Sequence, residues 1–331
     1  MLKRIIIVIV VLSLLSVIVH LAGFGPAIGY SNRNSSTYPV PIYELKPFRL
    51  PATMSFANEP VPLKFVDVKE ALDRELYSVA YWHSNTFTII KRASRFFPLI
   101  EPILKKYNIP DDMKYLAVTE TGLLNEVSPA GAKGFWQFMD ATGKEFGLII
   151  NDDVDERYHV EKSTVAACKY LNRLYAKYNN WALVCAAFNM GQGALDEQMK
   201  FQMENNYYDL LLNRETGRYV YRTIAFKMIF EDPQQYGFVL NSDDLYPIFE
   251  TSTVNIDSSV ANLAHFAHSL NISYKMLKYF NPWLISRKLD NKNKTVFQIV
   301  VPKDNERIKN HLMQRVYDNT DTVKRYTPIY N

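Results

Sequence analysis

One carboxylate interrupts an otherwise apolar helix face in the first half of the chain. The run 110–122 begins with a proline and two aspartates and ends at a glycine, a pattern that predicts a short helix. On that helix Met113, Leu116 and Ala117 share one face with Glu120. Burial and the negative helix end both disfavour the anion, so a raised pKa would suit Glu120 to general acid catalysis. The side chain could instead turn to solvent or meet a basic partner.

Glycines are concentrated directly after this helix. Five of the 12 glycines in the chain fall between residues 122 and 147. Glycine is favoured where backbone must turn sharply or approach a ligand closely. This concentration favours a binding loop beside Glu120 over a purely structural carboxylate.

The motifs around Glu120 resemble those of the soluble lytic transglycosylases, and within them the membrane-bound lytic murein transglycosylase D group. Four runs fit the family pattern in order: ETGLLNEVSPAGAKGFWQFMDATGKEFGL, DERYHVEKSTVAACKYL, NWALVCAAFNMGQGAL and ETGRYV. They span roughly half the chain, and a signature of several parts in the correct order is far more specific than one short motif.

The resemblance implies a mainly α, lysozyme-like transglycosylase domain with Glu120 as its single catalytic acid and base. It implies substrate-binding roles for Thr121, Gln137, Asn189 and Tyr219. Thr121 stands at a serine position of the family, and the hydroxyl of Tyr219 is expected to support the glutamate. Each of these four residues, taken singly, could be a turn, cap or core residue.

The implied activity is that of a lyase in cell-wall turnover, which cleaves the β-1,4 bond between N-acetylmuramic acid and N-acetylglucosamine without water. The product would carry a 1,6-anhydro end. A hydrolytic muramidase is one alternative and would add a second acid, such as Glu126, Asp152 or Asp155. A non-catalytic peptidoglycan-binding protein is another, although the retention of Glu120 argues against it.

Composition argues against several other functions. The net charge is only +4 and no dense basic run is present, so no nucleic-acid partner is expected. Cys168 and Cys185 are expected to be buried thiols, because their offset along two neighbouring helices is too large for a disulfide. Two cysteines cannot supply a structural zinc site, and His265 with His268 is expected to pack rather than bind metal. We therefore expect no metal and no cofactor.

The N-terminal residues 1–24 are predicted to be a signal peptide or an N-terminal anchor. Two basic residues precede a long apolar run, and residues 5–22 could attach the protein to a membrane if they are not cleaved. No cysteine lies nearby, which excludes a lipoprotein anchor. Export to the periplasm or cell envelope is expected. Residues 25–62 are rich in Pro, Ser, Asn and Tyr and predict an extended linker.

The remaining chain divides into two predicted domains and a tail. The transglycosylase domain is placed at 63–235, with helical lead-in segments to about residue 109 that break at Pro98. A β-α-α-β order over 246–303 resembles a LysM module, a domain that binds N-acetylglucosamine-containing glycans. Its usual Gly-Asp-Thr-Leu turn is replaced by DSSVANL, so glycan binding and a structural role both stay open. Residues 304–331 are a polar tail.

A LysM-like domain of this kind is expected to be separable. Its deletion is therefore predicted to leave the cleavage of short soluble glycans intact and to weaken binding to insoluble wall material.

Overall fold

The structure is a computed structural model that describes residues 47–303 of the 331-residue chain. The predicted signal peptide or anchor, most of the predicted linker and the polar tail lie outside these residues. Residues 48–303 belong to one compact unit.

No helix between residues 47 and 303 has the length and apolar character needed to cross a membrane.

Helices make up most of the described structure, with two small antiparallel strand pairs. The elements are β1 (Ser55–Phe56), β2 (Glu59–Pro60), α1 (Val66–Ala80), α2 (His83–Lys106), α3 (Lys114–Thr121), α4 (Asp140–Glu145), α5 (Val160–Tyr178), α6 (Trp181–Met190), α7 (Gln192–Gln202), α8 (Thr216–Glu231), β3 (Thr251–Ile256), α9 (Leu263–Ser269), α10 (Tyr274–Phe280) and β4 (Phe297–Pro302). Short 3₁₀ turns occupy Asp111–Met113, Glu156–Tyr158, Tyr207–Asp209, Pro233–Tyr236 and Ser242–Asp244.

Helix α2 differs from the sequence prediction, which placed a helix boundary at Pro98. The helix continues through both Pro98 and Pro102. An internal proline costs about 3 kcal/mol because it removes a helix hydrogen bond. The apolar face of α2 is buried on both sides of Pro98, at Ile90 and Ile100 among others, and this burial offsets the cost.

The described end of the predicted linker is folded rather than extended. Strands β1 and β2 pair, Phe56 is buried, and the backbone N–H of Ala57 donates to Asp112 Oδ2 at 2.7 Å. The carboxylate of Glu59 accepts the backbone N–H of Trp181 at the start of α6. These anchors bind the hairpin to the helical core, which the composition of the segment did not indicate.

Two hydrophobic clusters organise the fold. The first extends from Phe56 to Leu240 and includes faces of α1 to α3 and of α5 to α8. The second lies beneath β3, α9, α10 and β4, and strands β3 and β4 pair antiparallel from Thr251 opposite Pro302 to Ile256 opposite Phe297. Val154, far away in the sequence, also belongs to the second cluster.

Helix α8 is held against α1 by ion pairs with a buried carboxylate. Glu75 on α1 is completely buried, and its carboxylate accepts hydrogen bonds from the guanidinium groups of Arg218 and Arg222 on α8. Thr119 and Thr223 join α3 to α8 by a hydroxyl contact of 3.0 Å. These contacts fix the position of α8 relative to α3.

The two cysteines are free, buried thiols on α5 and α6, as predicted.

Candidate active site

Glu120 lies in the last turn of α3, just before the helix ends at a glycine. Gly122 ends the helix in the left-handed conformation at φ 59°, and its N–H donates to the carbonyl of Val118 at 2.8 Å. The carbonyl of Gly122 in turn accepts from Arg92 Nε at 2.8 Å. This ending places Glu120 at the rim of the helical core with its side chain only partly accessible.

A tyrosine hydroxyl holds the carboxyl group of Glu120. Tyr219, buried on α8, donates to Glu120 Oε1 at 2.6 Å. Burial raises the pKa of Glu120 to about 7, the Tyr219 hydrogen bond opposes this rise, and the negative charge of Glu215 adds to it. A carboxyl group that is half protonated near neutral pH can both give and take a proton.

Asn189 reaches this site through Glu215 and Thr216. Its Nδ2 donates to Glu215 Oε1 at 3.2 Å, and its Oδ1 accepts from Thr216 Oγ1 at 2.7 Å. Asn189 therefore ties the end of α6 to the start of α8, which carries Tyr219. Neither Glu215 nor Thr216 was predicted to have a role, although both stand in the same ETGRYV run as Tyr219.

Gln137 lies in a tight loop at residues 131–138, with its own backbone in the left-handed region at φ 48°. Its Nε2 donates to the carbonyls of Gly134 at 2.9 Å and Glu126 at 3.2 Å. The loop folds closely over Arg157, because a Cβ on Gly134 would lie 1.9 Å from the Arg157 carbonyl oxygen. The side chain of Gln137 is thus held by backbone carbonyls inside and just before this loop and not by Glu120.

Thr121 contacts backbone groups around the end of α3. Its hydroxyl lies 3.3 Å from the backbone N–H of Leu124 and 3.4 Å from the carbonyls of Ala117 and Phe135. A threonine in a final helical turn readily bonds the carbonyl four residues earlier, as the contact with Ala117 shows. The substrate-binding role of Thr121 stays a prediction.

The candidate second acids differ in their surroundings. Asp155 is buried, and its carboxylate accepts two hydrogen bonds from Arg157, Oδ1 from Nε at 2.8 Å and Oδ2 from Nη2 at 2.7 Å. Burial alone would raise the pKa of Asp155, but the hydrogen bonds and charge of Arg157 outweigh burial and lower it. Asp155 is therefore fixed as a structural anion, whereas Glu126 and Asp152 are exposed.

Two known protein families match parts of this chain. Residues 98–211 match the transglycosylase SLT domain family, and residues 252–305 match the soluble lytic transglycosylase C-terminal LysM-like domain family. The chain carries an SLT domain followed by a LysM-like domain. The fold is thus mainly α, with a lysozyme-like domain and a small β-α-α-β domain, as the sequence predicted.

Curated relatives include the membrane-bound lytic murein transglycosylase D of Escherichia coli K12, 29% identical over 220 residues, which are 65% of this chain and 47% of the relative. A putative tributyltin chloride resistance protein of an Alteromonas species is 29% identical over 104 residues, 31% of this chain and 50% of that protein. The chain thus spans about half the length of the curated relatives it matches.

Among solved structures, an inactive mutant of the lytic transglycosylase Slt of Pseudomonas aeruginosa aligns with 54% of this chain and 33% of that chain, at 16% identity and a TM-score of 0.37.

Proposed function

We propose that this protein is a lytic transglycosylase that cleaves the glycan strands of peptidoglycan. The SLT domain and the names of the curated relatives support an enzyme of this class. The single observation that carries the proposal is the Glu120 carboxyl group, with its pKa raised to about 7 and its Oε1 bonded to Tyr219.

The reaction uses Glu120 twice. The protonated acid gives its proton to the oxygen between N-acetylmuramic acid and N-acetylglucosamine, and that bond breaks at C1 of the muramic acid. The resulting carboxylate takes the proton of the C6 hydroxyl as the C6 oxygen bonds to C1. An internal hydroxyl has an effective concentration on the order of 10⁵ M in favourable geometry, so it outcompetes water. Glu120 returns to its protonated form and the sugar keeps a 1,6-anhydro ring.

Tyr219 and burial support different halves of this cycle. A hydroxyl donor at 2.6 Å stabilises the carboxylate after proton transfer, while burial favours the acid before it. The opposing effects place the pKa of Glu120 near neutrality, where neither half-reaction is strongly penalised.

Cleavage by hydrolysis is the alternative for the same carboxyl group. A hydrolytic glycosidase adds a second carboxylate beside the bond that breaks. The ion pair with Arg157 removes Asp155 from that role. Mass spectrometry of digested peptidoglycan separates the two reactions: we expect muropeptides one water lighter than muramidase products. Muropeptides with reducing ends would instead show hydrolysis. If no muropeptides were released, the proposal that the protein is a peptidoglycan-cleaving enzyme would be rejected.

The proposed partner is the peptidoglycan strand, and the proposed location is the cell envelope after export. Membrane attachment through residues 5–22 remains a prediction, as do the positions of the domain boundaries. The LysM-like domain is proposed to contact N-acetylglucosamine-containing glycan. No nucleic-acid partner is proposed.

The pH dependence of cleavage should respond in opposite directions to two substitutions. Because the acid must be protonated, kcat/KM should fall as the pH rises through about 7. Tyr219→Phe removes the hydrogen bond that lowers the pKa of Glu120, so this limb should move to higher pH. Glu215→Gln removes the charge that raises it, so the limb should move to lower pH.

Rates on a short soluble glycan between about pH 5 and pH 9 measure both shifts. Movement of both limbs in the same direction would contradict the assignment of Glu120 as the titrating acid.

A further inference from the structure

A loop of the SLT domain pairs directly with the LysM-like domain. We call residues 149–158 the junction loop. Within it the N–H of Asp155 donates to the carbonyl of Trp283 at 2.8 Å, and the carbonyl of Asp153 accepts from the N–H of Ile285 at 2.9 Å. Between these bonds Val154 is 1% exposed and lies in the hydrophobic cluster of the LysM-like domain. The junction loop therefore extends the core of the second domain.

Side chains strengthen this pairing. Asp153 is buried, and its Oδ2 accepts the N–H of Asp290 at 2.8 Å. The ring of His159 stacks on the indole of Trp283 with centroids 5.9 Å apart. Trp283 also stacks on Phe297 of β4, at 5.6 Å. Contacts of this kind hold two parts of a chain in one orientation, unlike a flexible tether.

The junction loop also supports the loop that contains Gln137. The Arg157 carbonyl occupies the space where a Cβ on residue 134 would lie, and Arg157 Nη1 donates to the carbonyl of Phe138 at 3.3 Å. Lys133 Nζ lies 3.4 Å from Asp155 Oδ2. Residues 131–138 thus contact the junction loop, which the LysM-like domain also contacts.

We propose that the LysM-like domain is a positioning element of the SLT active site. By holding the junction loop, it fixes the backbone of residues 131–138 and hence the place of Gln137. The substrate-binding role of Gln137 rests on the proposed function. The structural connection from the LysM-like domain through the junction loop to residues 131–138 does not. This inference replaces the expectation of a separable domain, because loss of the LysM-like domain would now impair cleavage of short soluble glycans as well.

The physical basis is the cost of ordering a polar loop. The junction loop reads IINDDVDERY, and only a few of its side chains are apolar. Without the LysM-like domain, Val154 would lose its apolar surroundings and the N–H of Asp155 its carbonyl partner. Segments with few buried contacts open at low free-energy cost, so the junction loop and the loop resting on it would become mobile together.

Two matched substitutions in the full chain test the proposal. Val154→Ala removes methyl groups from the second hydrophobic cluster at the junction loop. Val301→Ala makes the same change in the same cluster, on strand β4. Both should lower the melting temperature. Only Val154→Ala should speed amide hydrogen exchange at residues 131–138 and raise KM for a short soluble glycan, on the order of 10-fold, with kcat retained.

A KM change without a kcat change is expected because Glu120 and Tyr219 lie on α3 and α8, outside both loops. The proposal is overturned if Val154→Ala leaves exchange at residues 131–138 at the wild-type rate. It is equally overturned if Val301→Ala speeds that exchange to the same extent. If the wild-type protein cleaves no glycan, only the proposed function is rejected. Amide hydrogen exchange at residues 131–138 would still test whether the LysM-like domain holds that loop in place.

Discussion

Turnover of peptidoglycan is expected to fall by about 10² or more when Glu120 is replaced by glutamine. Glutamine keeps the size and hydrogen-bonding capacity of the side chain, so Tyr219 retains a partner. It lacks the acid proton, so neither half of the proposed cycle can proceed. Release of anhydro-muropeptides, followed by mass spectrometry, measures the loss.

Glu120→Asp is the matched control for position rather than chemistry. It keeps the acid but withdraws it by about one methylene, and misplacement on this scale costs on the order of 10²-fold. If the glutamine variant released anhydro-muropeptides at nearly the wild-type rate, Glu120 would not be the acid, and the mechanism would have to be abandoned.

The Glu120→Gln variant should also show how much folding stability the protein loses when Glu120 ionises. The folded pKa of Glu120 is about 7, above its ordinary 4.5, so ionisation is harder in the folded state than in the unfolded chain. The contribution of Glu120 to stability is thus fully present below about pH 4.5 and is lost as the pH rises through about 7, up to about 3 kcal/mol. Glutamine does not ionise. The variant should therefore melt above wild type at about pH 8 and close to it at about pH 4.

The second large effect is expected from a single methyl group. Gly134→Ala places a Cβ 1.9 Å from the carbonyl oxygen of Arg157, at a backbone φ of 77°. Because the contacted atom is backbone, the two loops must separate, at a cost of about 3 kcal/mol or more. Displacement of Gln137 should then reduce cleavage, on the order of 10²-fold. Chemical unfolding and kinetics on a soluble glycan measure the two effects.

Gly131→Ala provides a control in the same loop. Gly131 also has a positive φ, 88°, but among residues 47–303, its two chain neighbours aside, no atom lies within 4 Å of its added Cβ. Only the conformational cost of about 1–2 kcal/mol remains. Equal destabilisation by the two alanines would show that backbone strain, and not the close approach to Arg157, determines the glycine requirement at residue 134.

Local patterns were enough to predict the helix of Glu120. The Pro-Asp-Asp start, the apolar spacing and the glycine stop all act within one helix, so α3 and its buried face follow from neighbouring residues. The contact between Glu120 and Tyr219 joins residues 99 positions apart. Periodicity carries no information at that separation, and only the resemblance to a family indicated it.

The features that sequence reasoning missed depend on distant packing. Pro98 was taken as a helix start, but burial along α2 outweighs the local preference. Phe56 lies in a run that reads as a linker but is buried, and the hairpin that carries it is held by bonds to Asp112 and to the start of α6. Val154 stands alone among polar neighbours, and a single apolar residue gives no periodic signal.

The buried carboxylate that holds α8 has a consequence for the conditions under which the site keeps its shape. Glu75 has no exposed surface, whereas the side chains of Arg218 and Arg222 are 23% and 36% exposed, so dissolved ions reach only one side of each pair. The attraction is therefore screened less than that of a fully exposed pair. Arg218 directly precedes Tyr219 on the same helix. At the proposed location in the cell envelope, where the salt concentration follows the surroundings, the alignment of tyrosine and acid should depend less on salt than the fully exposed ion pairs of the protein do.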